Sequence, residues 1–213
     1  MLRELERKLP DHIRPEYEKD FILYKKMLEQ KRKDKNKLYS IHEPHIYCMS
    51  KGKEHKKYEF GTKVSISKTR ESNIIIGALA FKENIYDGHS LEAVLEQIKR
   101  ISQYEPKIGI VDRGYKGRVK VGNTRILSPK PAKKNSSTKS IKEIKKRFRR
   151  RTAIESVIGH LKSDYRLKRN FLKGFIGDEI NVLIAAAAWN FNKWIRQFIF
   201  CFIFIHFHRF QYR

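Results

Sequence analysis

The sequence predicts an α/β protein built on one mixed sheet, on three observations. Short stretches with strand patterning stand at 58–67, 73–81, 107–111 and 124–127. A stretch with helical spacing, 90–104, lies between the second and third of them, and a basic stretch with helical spacing starts near Ile141. With 213 residues, 40% of them hydrophobic and 12% aromatic, the chain can bury one sizeable core, which excludes a fully disordered basic tail.

In chain order, the first 37 residues read as helix: Leu2, Leu5 and Leu9, then Phe21, Leu23, Tyr24, Met27 and Leu28, recur among many charges before the basic run Lys31–Lys37. They form a helical basic arm, 1–38. Phe60, Val64 and Ile66 alternate with polar neighbours, and 73–81 (NIIIGALAF) is a short apolar run, so the two segments are expected to pair as strands. A turn at Tyr86–His89 precedes a helix over 90–104, where Leu91, Val94, Leu95, Ile98 and Ile101 share one face and Pro106 marks the stop. Asp87 either faces a functional centre or, as the reading preferred here, caps that helix near Ser90. Lys107–Val111 (KIGIV) reads as a buried strand that ends in a turn at Asp112, and 124–127 reads as a short strand leading into a Pro/Lys/Ser loop. Ser140 and Glu143 have capping-box spacing, which predicts a helix from Ile141 to about Arg166. Trp189, Trp194 and Ala185–Ala188 read as core packing in a last helix.

The charge is the strongest compositional signal. Forty-eight Lys and Arg against 23 Asp and Glu give a net charge of +25, which makes a polyanion the default partner. Segment 130–173 carries 16 Lys and Arg against Glu143, Glu155 and Asp164, a net +13 and half of the total. Such a footprint suits phosphates. Cys48 and Cys201 are too few and too distant for a disulfide framework or a thiolate zinc site, which suits a reduced cytoplasm. His42, His45 and His55 lack the partners that a tetrahedral zinc set needs. The tail 198–205 (FIFCFIFI) is intensely apolar, but polar residues from Asn190 to Gln197 interrupt the approach to it, and a membrane span needs about 20 apolar residues. A buried or sticky tail, 197–213, is expected, with no membrane.

Two acids stand where chemistry would need them. Phe148, Arg151, Glu155 and Lys162 follow one another at steps of three, four and seven. On a helix these fall within about 60° of one another, beside an apolar face made by Ile154, Val157, Ile158 and Leu161. Glu155 there is either a structural ion pair with its Arg neighbours or a metal ligand. Asp112 follows an apolar strand and precedes Arg-Gly-Tyr, so it is either a turn former or a functional side chain at a strand's carboxyl end. A strand-end Asp and a helical Glu in a chain of +25 suggest ligands for Mg²⁺.

The strand-end VDRGY around Asp112, the spacing Phe148-x₂-Arg151-x₃-Glu155-x₆-Lys162 and the segment 55–63 (HKKYEFGTK) after KGK together resemble the bacterial insertion-sequence-five transposases, a branch of the insertion-sequence-four superfamily of DDE transposases. The resemblance covers roughly 39–196, with Phe148 standing where the family signature usually opens on Tyr. It implies a ribonuclease-H-like mixed sheet flanked by helices, with Asp112 and Glu155 as the second and third catalytic acids and metal ligands. It also implies Mg²⁺, or Mn²⁺, as cofactor. The DNA-facing residues are expected to be Arg149, Arg150, Arg151, Lys162 and Arg166. The implied partners are double-stranded DNA, as terminal inverted repeats and target, and further copies of the intact chain in an oligomer. The implied setting is the bacterial cytoplasm, at the nucleoid.

The family's first acid ends the first strand of the sheet, and no residue here fits: Asp11 precedes His, Asp20 lies in a helical pattern and Asp34 sits in KRKDKNK. The chain therefore resembles the carboxyl-terminal part of a transposase without its first strand, expected to bind DNA but not to cleave it alone. The alternative is a non-catalytic DNA-binding remnant, or an inhibitor of the intact enzyme.

Overall fold

The computed structural model describes residues 2–50, 54, 57–112, 114–115, 117–128 and 152–210. The chain divides into two compact units. The first comprises 1–63, 82–84 and 173–175, and the second the remainder.

In the first unit the expected single helix is two. Helix α1 (Leu2–Lys8) stops before Pro10, whose carbonyl accepts from the N–H groups of Ile13 and Arg14 in the turn that follows. Helix α2 (Arg14–Glu29) carries Pro15 in its first turn, where a missing N–H costs nothing. Lys25 meets Glu6 at 2.8 Å across the two helices, and Phe21 is buried. Gln30 closes the basic loop after α2, because its amide both accepts from Leu38 N–H and donates to Leu38 C=O, each at 2.8 Å. Strand β1 (Tyr47–Ser50), which the sequence pattern does not announce, pairs antiparallel with β2 (Tyr58–Gly61). Gly61, at φ 143°, ends β2 in a backbone region open to glycine, which splits the expected strand 58–67.

The second unit begins with a hairpin. Strand β3 (Lys63–Lys68) pairs with β4 (Ile75–Phe81), and Thr69 N–H donates to Ile74 C=O at 2.8 Å in the turn. Burial pushes the Lys68 ammonium below its ordinary pKa, and Asn73 Oδ1 accepts from it at 2.7 Å. Helix α3 (Asp87–Ser102) starts three residues earlier than its apolar spacing indicates and lies on β4. Gly77 permits that approach, since a Cβ there would stand 2.9 Å from Val94 Cγ1 and 3.1 Å from Ile98 Cγ1. A three-stranded sheet follows in the order β5 (Ile108–Ile110), β7 (Thr124–Leu127), β6 (Lys120–Val121). Strands β5 and β7 are parallel, β6 and β7 antiparallel. Leu91 and Leu95 of α3 and Tyr115 pack on Val111, Val121 and Ile126, so α3 serves both this sheet and the hairpin.

Among the described residues the strands form three small sheets rather than the one mixed sheet expected. Side-chain amides supply part of the pairing that a neighbouring strand would give β4. Gln97 accepts from Ala78 N–H at 2.7 Å and donates to Ala78 C=O at 3.0 Å, and Asn190 makes the same pair of bonds to Ile75, both at 2.7 Å. Gln97 is buried, so Gln97→Leu would leave two interior backbone groups without partners, at about 1–3 kcal/mol each. The variant is expected to lose about 2–4 kcal/mol, read as a lower urea midpoint at unchanged slope; a loss under about 0.5 kcal/mol would show that water replaces the amide.

Helix α4 (Thr152–Ser163) and helix α5 (Gly174–Phe210, 37 residues) complete the unit. Helix α4 ends three residues before the expected Arg166, which lies in the left-handed region at φ 57°. Leu167 N–H reaches back to Leu161 C=O at 2.9 Å, and the carboxylate of Asp164, held below its ordinary pKa by hydrogen bonds from Ser163 and His160, closes the turn. The expected capping box and the helical residues 141–151 lie outside the described residues. On α5, Trp189 is core as expected, and its Nε1 donates to Asn73 C=O at 2.8 Å. Trp194 is not: it is 65% exposed, because it projects from the side opposite Trp189.

Candidate active site

Strand β5 runs into the site. Val111 extends the pairing one residue past it through a 3.0 Å bond from its N–H to Leu127 C=O, and its buried side chain fixes the chain there. Asp112 is therefore the first residue to leave the carboxyl end of the sheet, and it is exposed. Its Oδ1 accepts from Gly114 N–H at 2.8 Å, the local bond that makes Asp both a turn former and a fixed side chain. The turn-former reading of Asp112 thus holds, and the same bond orients its carboxylate.

Helix α3 supplies a second acid. Its N-cap residue, Tyr86, is extended and gives no side-chain cap bond, and Asp87 is the first residue of the helix, where a negative charge suits the helix dipole. Asp87 does not cap a helix starting near Ser90, as the apolar spacing suggested, because the helix starts at Asp87 itself and Ser90 Oγ donates to Asp87 C=O at 2.7 Å. Its half-buried side chain instead converges with that of Asp112 over Gly114. A Cβ built on Gly114 would stand 2.5 Å from Asp87 Oδ2 and 3.0 Å from Asp112 Oδ1, which places the two oxygens no further apart than the sum of those distances. Only glycine leaves this space open. Two carboxylates so close repel unless a cation or a donor lies between them.

Glu155 lies in the first turn of α4 and is exposed, whereas the helical spacing set it beside the apolar face that buries Val157 and Leu161. Among the described residues no three His, Cys, Asp or Glu side chains converge in a cluster of metal-ligand type, so Glu155 does not join Asp87 and Asp112 in one. Lys162 and Arg166 are exposed, and Arg166 and Arg169 stand over the exposed ring of Phe171 at 5.3 and 5.8 Å. Phe148, Arg149, Arg150 and Arg151 lie outside the described residues. His45 Nδ1 is 3.4 Å from Glu43 Oε2 in the first unit.

A carboxylate at the end of a short parallel strand, joined by another from a helix start, in a chain of +25, defines an α/β protein suited to phosphates. The family model of the transposase DDE domain matches residues 41–191, and the chain belongs to that family. No curated protein and no solved structure matches the chain. No helix among the described residues is long and apolar enough to cross a membrane.

The pairing of Asp87 with Asp112 is the feature that sequence reasoning underrated. The signal was available: each acid follows an apolar strand, as Tyr-Asp-Gly after β4 and Asp-Arg-Gly after β5. Which strand ends come together is a property of the packing of α3 against both sheets.

Proposed function

We propose that the chain is the catalytic part of an insertion-sequence transposase, of ribonuclease-H-like ancestry, that acts on DNA at element ends and target with Asp112 and Glu155 in its acid set. The observation that carries this reading is the convergence of Asp87 and Asp112 over Gly114 at the carboxyl end of the parallel pair. Two hard oxygen donors that converge over Gly114 fit Mg²⁺ or Mn²⁺. When bound, such an ion neutralises charge on phosphate oxygens. The chain's own work is to hold the Asp112 carboxylate in one orientation through Gly114 N–H, to keep Asp87 beside it on the first turn of α3, and to seat the DNA backbone on cations. Arg149, Arg150, Arg151, Lys162 and Arg166 are assigned to that seat.

Among the described residues no acid ends a strand upstream of β3, and β1 ends in Ser50. These residues alone are expected to bind a cation and DNA but to leave strands intact. Nicking of supercoiled plasmid by the 213-residue chain, lost in both Asp87→Asn and Asp112→Asn, would instead make Asp87 the acid that completes the set. The second reading is a non-catalytic DNA-binding remnant.

Gly114→Ala separates the readings. Its methyl group would take the space between the two carboxylates, so Mn²⁺ affinity, followed by titration with paramagnetic resonance, is expected to fall about 10-fold or more while circular dichroism is unchanged. An unchanged Mn²⁺ affinity would remove the Asp87 and Asp112 pair from the site and leave the remnant reading.

A further inference from the structure

Helix α4 leads into a loop that is anchored at both ends and bare in the middle. At its start the Tyr165 ring meets buried Trp189 edge-on at 6.1 Å, and the Tyr165 hydroxyl accepts from Asn192 Nδ2 at 2.7 Å. At its end Leu172 lies so close to α5 that a Cβ on Gly177 would stand 2.8 Å from the Leu172 carbonyl carbon. Asn170 ties down the same stretch, accepting from Leu172 N–H and donating to Asp178 Oδ1, each at 2.9 Å. Between the anchors Arg166 takes the left-handed conformation at φ 57°, and its carbonyl accepts from Arg169 N–H at 3.1 Å. This braced backbone nevertheless holds Phe171 out in solvent, 67% exposed, with the guanidinium groups of Arg166 and Arg169 at 5.3 and 5.8 Å from the ring centre. A lone exposed apolar side chain is ordinary, but an outward ring carrying two guanidiniums combines the two groups that grip nucleic-acid strands.

We propose that Phe171 is a stacking platform for an unpaired nucleobase of bound DNA, with Arg166 and Arg169 taking the neighbouring phosphates. The inference rests on the DNA reading above and deepens it, because it adds a base contact to a seat otherwise made of phosphate contacts. Chemistry selects the ligand. The ring has nothing to offer a phosphate; it stacks on the flat face of a base. A paired duplex covers those faces with neighbouring base pairs, so the ring can reach only a base at a bulge, an opened end or a single-stranded stretch. Charge selects the same partner. Residues 165–173 include Arg166, Lys168, Arg169 and Lys173 and no acid, which suits a strand with a negative backbone and not an apolar protein surface.

The ring is also ready for the contact. Its exposure is measured with both guanidiniums in place, so they leave most of its surface open. The backbone on either side is already fixed by Tyr165 and Leu172, so little chain freedom is lost when a base arrives. The inference needs DNA on this loop and does not need cleavage, so it can stand or fall apart from the Asp87 and Asp112 pair.

The test uses the full chain and two short DNA duplexes of one sequence, one fully paired and one carrying a bulge of unpaired thymines, with binding followed by fluorescence anisotropy. The wild-type chain is expected to bind the bulged duplex about 10-fold more tightly than the paired one at equal salt. Phe171→Leu, which keeps an apolar side chain but loses the ring, is expected to erase that preference. It should bind the paired duplex within about twofold of wild type and with the same salt slope, because the ring neutralises no phosphate. Phe171→Trp is expected to keep the preference, which separates stacking from any effect of the substitution on the fold. Equal affinity of the wild-type chain for the two duplexes, or a preference that survives in Phe171→Leu, would overturn the proposal while leaving duplex binding in place. Absence of salt-dependent binding to either duplex would instead remove the DNA reading itself, and the proposal with it. A smaller sedimenting mass of the free chain on Phe171→Leu would make the ring a protein contact, and would overturn the proposal as well.

Discussion

Asp112→Asn is expected to abolish metal-dependent strand cleavage, lowering it by at least about 10³-fold, or ~4 kcal/mol of transition-state stabilisation. The measurement is plasmid nicking by the chain with an acid-ended strand fused upstream. The size of the effect follows from what the substitution leaves in place. Asparagine has the same shape and can still accept from Gly114 N–H, the 2.8 Å bond that forms the turn after β5. The strand, the turn and the packing of Val111 and Tyr115 therefore persist. What is lost is one negative charge from a pair of carboxylates that face each other over Gly114. DNA binding should change less than about threefold, because it rests on phosphate contacts by cations. Glu155→Gln should act in the same direction. Wild-type cleavage by Asp112→Asn would remove Asp112 from the acid set.

DNA affinity is expected to fall by about 10³-fold or more between 50 and 200 mM salt, the loss typical of six to ten neutralised phosphates. Segment 130–173, with its net +13, is the physical source. Among its described residues Lys162, Arg166, Lys168, Arg169 and Lys173 are exposed, and Arg166 and Arg169 are held over Phe171. Cations kept in place by a ring lose less freedom when they meet a phosphate. Replacing Arg166, Lys168 and Arg169 together by alanine should make the log–log salt slope shallower by about 2.7, at about 0.9 per phosphate contact. None of the three is buried, so the fold should be unaffected. A slope near zero for the wild-type chain would end the electrostatic account, since a base-reading or apolar mode releases few counterions.

The local elements were legible where side chains alone decide them. Strand β7 falls on the residues that its pattern marked, because Thr124 and Ile126 face inward while Arg125 faces out. Helix α3 was legible through Val94 and Ile98, the most buried apolar residues on it. Its start was not, since Tyr86, Asp87 and Gly88 read as a turn and became a helix start only with the first turn docked against its surroundings. The break of the first helix at Pro10 was legible and underweighted. Strand β1 was hidden, because Tyr-Cys-Met-Ser has no alternation to read and becomes a strand only through its ladder with β2.

By itself the sequence determined the α/β class, the charge that suits a polyanion and the position of Asp112 at a strand end. Each of these depends on residues within one or two turns of one another. Tertiary structure decided the rest. Among the described residues it divided the strands among three sheets, with Gln97 and Asn190 bonding to the β4 backbone from helices 19 and 115 positions away in the sequence. It brought Asp87 to Asp112 across 25 residues, because α3 packs on both the hairpin and the parallel strands, and only a glycine at 114 leaves the two carboxylates room to meet. It also set Trp189 inside and Trp194 outside on one helix, a choice that depends on which side of the helix the core lies and not on the residue itself.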